Sequence, residues 1–111
     1  AIHIDSRSRG ENIDVFFYHA KGSSKGKRAA GILQKTFQRK YDQHQPGRGY
    51  HGTVSDRNLY VVRNTHPVAI YIELGNINHT RDQQRFIIPS NRQALANWLY
   101  EGLVEDFKTN K

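Results

Sequence analysis

The 111-residue sequence predicts one small layered domain of the α/β or α+β class. Three observations predict it. Short runs rich in β-branched and aromatic residues, of which residues 68–74 are the most continuously apolar, read as strands. Two longer stretches repeat apolar residues at helical spacing. Strand and helix patterns are mixed along a chain long enough for one core but not for two.

Residues 1–5 alternate around apolar positions and form the first predicted strand, with His3 and Asp5 on one face and Ile2 and Ile4 on the other. Residues 6–12 are polar and contain a glycine, hence a loop. Residues 13–18 are a second strand. The basic stretch 19–27 is a loop, and a helix capped by Ser23 or Ser24 follows to about Tyr41. Its stripe is Ala29, Ala30, Leu33, Phe37 and Tyr41, leaving Lys27, Arg28, Lys35, Gln38 and Arg39 to water. Residues 42–57, with Pro46 and three glycines, are the longest irregular stretch and a candidate regulatory or substrate-gripping loop. Residues 59–62 are a short strand, and 63–67 are a turn before Pro67. Residues 68–74 suit the interior of a sheet covered on both faces. A loop over 75–80 leads to a short helix over 81–88. The last helix opens on a Ser90–Gln93 capping box, with Leu95, Trp98, Leu99, Gly102, Leu103 and Phe107 as its stripe.

Composition bounds the chemistry. The chain has no cysteine, which excludes disulfides and thiolate metal sites, so any metal must be held by His, Asp or Glu. No stretch approaches the roughly 20 apolar residues of a membrane span. A net charge of +7 and a pI near 9.9 favour polyanionic partners such as nucleic acid, anionic lipid or cell-wall polymer. No signal peptide is legible and the chain opens inside a strand, so a fragment of a longer protein is expected.

Two residues carry the functional expectation. Glu73 follows an apolar run and precedes Gly75, and a carboxylate near the end of a buried strand is either salt-bridged or a chemical tool. As a tool it is a general base or a metal ligand. His3 is either a satisfied strand histidine or a metal ligand, with Asp5 on the same face able to orient it. His19, His44, His51, His66 and His79 fall in predicted loops and read as surface residues. No phosphate-cradling loop, no GxSxG and no helical His pair is present.

These segments, in this order, resemble the zinc-dependent N-acetylmuramoyl-L-alanine amidases of the type 3 class. Ala1-Ile2-His3-Ile4-Asp5-Ser6 resembles that family's S-I-H-A-N/D strand, and residues 13–18 its G-V-E-V-Y-Y strand. Residues 29–37 resemble its L-A-x-x-I-x-x-x-L helix, and Arg48-Gly49 its R-G loop. Residues 59–75 are similar to L-x-V-L-R-x-T-x-x-P-A-V-L-V-E-L-G, and Ile77-Asn78 to the F-I-S-N turn. Gln93, Ala96 and Gly102 resemble the terminal Q-x-x-A-x-A-I-x-x-G-I helix. Asn76, where an aromatic is common, and Tyr71 in the buried strand depart from the pattern.

The resemblance implies an α/β fold with a mixed, mostly parallel sheet flanked by helices. It implies hydrolysis of the amide between N-acetylmuramic acid and L-alanine in bacterial peptidoglycan, outside the cytoplasm, in the periplasm or cell wall. It implies Zn2+ as cofactor, with His3 the last of three ligands and Glu73 the catalytic carboxylate. The family's other ligands lie in a G-H-G-G turn and on the helix after it, and neither segment occurs here. The chain is therefore expected to be the C-terminal part of the catalytic domain, lacking its N-terminal strands. The unpaired edge this leaves would favour edge-mediated dimers. No nucleic-acid partner and no membrane span are expected. Two competing expectations are a basic nucleic-acid-binding module, stacking bases on Tyr18, Tyr41, Tyr50 and Tyr60, and a non-catalytic cell-wall-binding remnant.

Overall fold

The most apolar run of the chain becomes one of the two strands with neighbours on both sides. In the computed structural model, which describes residues 1–5, 14–57 and 68–109, β1 is Ile2–Asp5, β2 Phe16–Ala20, β3 Val54–Arg57 and β4 Ile70–Asn76. The four strands form one sheet in the order β1-β4-β2-β3. β1 runs parallel to β4 and β2 parallel to β3, while β2 and β4 are antiparallel. The sheet is thus mixed and mostly parallel, the class the resemblance implies.

Alternation along the strands sorts the sheet into two unlike faces. Phe17 lies opposite both Ile72 and Val54, and this face carries the core with Val15, Ile70 and Leu74. α1 (Ser24–His44) supplies Ala30, Leu33, Phe37 and Tyr41 to that core, and Ser23 caps it by accepting from the Gly26 N–H at 3.0 Å. α2 (Thr80–Ile87) packs on the end of β4, and α3 (Pro89–Thr109) adds Leu95 and Trp98. Trp98 meets Phe37 edge to face at 5.5 Å, joining α3 to α1. At 25 cal/mol per Å2 each such side chain contributes about 2–3 kcal/mol to burial.

Several sequence expectations shift for physical reasons. α3 starts two residues early, at Pro89, whose missing N–H is harmless in a first turn, so Ser90 lies inside the helix instead of capping it. Leu103 and Phe107 are exposed. At about 100° per residue they lie roughly 80° and 120° away from the line through Leu95, so the stripe drifts off the core. β2 starts at Phe16, because Asp14 adopts φ 53° and cannot extend the strand. The strand 59–62 and the turn 63–67 fall outside the described residues. No helix among the described residues is long and apolar enough to cross a membrane.

The stretch 42–57 is not one open loop. α1 runs on through His44 and β3 takes 54–57, leaving 45–53 folded back on the core. Tyr50 donates to the Val15 carbonyl at 2.8 Å and stacks on Tyr41. Burial, then the nearby Asp14 charge, push the Tyr50 phenol well above its ordinary pKa, which keeps it a donor. A Cβ on Gly52 would overlap the Val15 carbonyl oxygen and the Tyr50 hydroxyl. Gly52→Ala is accordingly expected to cost about 1–3 kcal/mol, read as a lower Tm; an unchanged melting curve would refute this packing.

Candidate active site

The face of the sheet opposite the core holds both candidate residues. In the β1–β4 register His3 is the Cα partner of Glu73, although 70 positions separate them in sequence. Directly paired residues of neighbouring strands project to the same face, about 4.8 Å apart at the backbone. Glu73 is buried, whereas His3 is exposed. Tyr71, two residues before Glu73 and therefore on the same face, stacks against the His3 imidazole at 4.4 Å and 15°. The stacked ring limits the imidazole's rotation beside the carboxylate. Phe16 is the partner of Glu73 on the other side.

The same face continues across the sheet. Tyr18 is the partner of Tyr71, with ring centres 6.2 Å apart. The Arg57 guanidinium lies over the Tyr18 ring at 4.3 Å, and its Nη1 is 3.8 Å from Glu73 Oε1. Arg57, Tyr18, Tyr71 and His3 thus form one strip spanning all four strands, with Glu73 alongside. The sequence reading placed Arg57 at the end of an irregular stretch; only its pairing in β3 with Ala20 puts it on this face.

A bulge and a buried ionic cluster hold the strand end that follows Glu73. His3 pairs with Glu73, but Asp5 pairs with Asn76, so β4 carries an extra residue over this step. Gly75 is where the chain comes close to α2: a Cβ there would lie 2.7 Å from Arg85 Nη1 and 3.0 Å from Asp82 Cβ. Arg85 donates to the Leu74 carbonyl at 2.9 Å, to Asp82 at 2.9 Å, to Asp14 at 2.7 Å and to the Tyr41 hydroxyl at 3.1 Å. Asp82 in turn accepts from the Asn76 N–H at 3.0 Å. Asp14 also accepts from Arg48 at 2.7 Å and from the His51 N–H at 2.9 Å. Burial alone would raise the Asp14 pKa, but the Arg48 hydrogen bond, the His51 N–H and the two guanidinium charges outweigh it and bring it below its ordinary value. The sequence reading named Arg48 only as part of a loop motif and missed Asp14, Asp82 and Arg85. Asp14 carried the same signal as Glu73, an acid inside an apolar run. Arg85 carried none.

The remaining histidines divide. His19 is buried in β2, not on a loop, with its Nδ1 2.9 Å from the Ala20 carbonyl. His44 ends α1 and stacks on Trp98. His79 caps α2, accepting from the Asp82 N–H at 3.4 Å. His51 is exposed, and His66 lies outside the described residues. A cleft of about 860 Å3 between the end of α1, α2 and α3 is lined by Arg48, Arg81, Arg85 and Trp98 but by neither His3 nor Glu73. Among the described residues no three His, Asp or Glu side chains cluster to hold a metal. A catalytic zinc takes three protein ligands, so His3 with these neighbours does not form a zinc site by itself.

Fold and site together define an α/β protein that places a buried carboxylate and an exposed imidazole at paired positions on one sheet face. The sequence profile of the N-acetylmuramoyl-L-alanine amidases matches residues 1–105, and the chain belongs to that family. Solved structures share the fold. An N-acetylmuramoyl-L-alanine amidase of Clostridium difficile 630 superposes with a TM-score of 0.85 at 18% identity, over 99% of this chain and 57% of its own. The catalytic domain of CwlV, the amidase of Bacillus (Paenibacillus) polymyxa var. colistinus, gives 0.77 at 21% identity, over 96% and 55%. The amidase AmiC2 of Nostoc punctiforme gives 0.76 at 19%, over 96% and 56%. The chain therefore spans little more than half the length of these structures. No curated protein matches it in sequence.

Proposed function

We propose that the protein carrying this chain hydrolyses the amide between N-acetylmuramic acid and L-alanine in peptidoglycan, with Zn2+ as cofactor, and acts outside the cytoplasm. The observation that carries the reading is the direct pairing of His3 with Glu73 on one sheet face, within a chain of the amidase family. Residues 1–111 contribute the C-terminal part of the catalytic domain. His3 supplies one metal ligand, and the other two come from outside the described residues. Bound zinc would supply a water of pKa about 7 and a polarised carbonyl.

The chain's own residues supply the proton handling. Glu73 takes the proton of the attacking water and returns it to the alanine nitrogen as the carbon–nitrogen bond breaks. Tyr71 keeps the His3 ring in place, and Phe16 flanks the carboxylate. The test is release of muropeptides from purified cell walls by the zinc-loaded, full-length protein; absence of the lactyl–alanine cleavage product would end the reading. The 111-residue chain alone is expected to bind no zinc at micromolar metal in equilibrium dialysis, since three ligands are required. Stoichiometric zinc on that chain would overturn the ligand assignment.

The nucleic-acid alternative loses three of its four stacking groups. Tyr18 and Tyr41 are buried, and Tyr50 is tied to Val15, so none presents an open ring face to a base. Tyr60 lies outside the described residues.

A further inference from the structure

Arg85 and Arg57 both approach buried acids, but they do so differently. Arg85 contacts Asp14 at 2.7 Å and Asp82 at 2.9 Å, with its side chain only 4% exposed. Arg57 stands 3.8 Å from Glu73, beyond the 2.7–2.9 Å of a charge-assisted hydrogen bond, and its side chain is 42% exposed. Its guanidinium plane rests on Tyr18 at 4.3 Å. Stacking holds a guanidinium by its face and leaves the in-plane N–H edge to bond a planar anion bidentately. Arg57 is therefore placed like a reader of an incoming carboxylate and not like a structural clamp.

The position of that carboxylate follows from the site. A substrate whose scissile amide lies against Glu73 carries the groups of its next residue roughly 4–7 Å further on, within reach of the Arg57 guanidinium, whose Nη1 stands 3.8 Å from Glu73 Oε1. In a stem peptide the residue after L-alanine is a γ-linked D-glutamate, whose α-carboxylate is free unless it is amidated. Resting on the amidase reading, we propose that Arg57 is a specificity-determining residue that binds this free α-carboxylate. Stems bearing the acid are then preferred over stems bearing the amide, because a neutral carboxamide puts N–H donors against the guanidinium.

The test compares two substrates on the zinc-loaded, full-length protein. One is N-acetylmuramoyl-L-alanyl-γ-D-glutamyl-L-lysine, and the other its D-isoglutaminyl counterpart, which differs only at the α-carboxylate. The expected ratio of kcat/KM, acid over amide, is about tenfold, the size of a half-exposed charge pair. In Arg57→Gln the ratio falls to within about twofold of unity, and Arg57→Lys keeps an intermediate value. A wild-type ratio near one overturns the proposal without any variant. So does an unchanged ratio in Arg57→Gln, which would mean that Arg57 only supports Glu73. If the wild type cleaves neither stem, the amidase reading itself falls, and this proposal with it.

Discussion

Glu73→Gln in the zinc-loaded, full-length protein is expected to keep its metal and to lose amide hydrolysis by at least about 10²-fold, the usual size of a general acid–base contribution. Glutamine preserves shape and size in a position that is only 4% exposed, so the change acts on proton transfer and not on packing. The amide substrate makes the loss severe. An amine cannot leave the tetrahedral adduct as an anion, so the same group must collect the proton from water and deliver it to nitrogen. A carboxamide does neither. Zinc content per protein and muropeptide release by chromatography measure the two halves of the expectation. Release at the wild-type rate would remove Glu73 from the mechanism. His3→Ala is expected to differ, losing metal and activity together.

Replacing Arg85 with methionine is expected to be the most destabilising single change in the domain. It removes the hydrogen bonds to Asp14, Asp82, Tyr41 and the Leu74 carbonyl at once, and leaves two fully buried carboxylates short of positive charge. Breaking one side of a buried pair costs about 3–5 kcal/mol, a large share of the 5–15 kcal/mol that hold a domain together. The drop in Tm should exceed about 10 °C. A loss below about 1 kcal/mol would mean that the cluster is dispensable.

Acid should act on the same cluster. Asp14 has its pKa lowered in the folded state, with the opposing effect of burial outweighed by Arg48, His51 and Arg85. A depressed folded pKa contributes stability that is complete above the unfolded value of 3.8 and is lost as pH falls through the lower folded value. Wild-type stability should therefore decline below about pH 4, and Arg85→Met should show a shallower decline, because less of the depression remains.

How much of this was legible in the sequence depended on the range of the interaction. α1 was legible except for its last turn, which runs on to His44: one of the two predicted caps, Ser23, and every residue of the predicted stripe, Ala29 to Tyr41, are where periodicity put them. β1 and the strand bearing Glu73 were equally plain, because alternation and apolar runs are local signals. Asp14 showed an acid inside an apolar run, but nothing local revealed the left-handed backbone that interrupts what reads as continuous strand. Arg85 was hidden because an arginine on a short polar helix looks solvated until its partner is known, and that partner lies 71 positions away. Leu103 and Phe107 were misjudged because a helical stripe shows which side chains share a face, not how far the core extends beneath it.

By itself, then, the sequence determined the first strand, the Glu73 strand and the helices, but not β3, and it marked His3 and Glu73 as anomalous for their surroundings. Tertiary structure decided that the two are register partners on one sheet face, that Arg57 reaches Glu73 while resting on Tyr18, and that Arg85 ties Asp14 to the end of β4. The reason is physical. Side-chain periodicity encodes the faces of a single element, whereas register and burial arise from the whole sheet meeting its helices, and no local pattern carries that information.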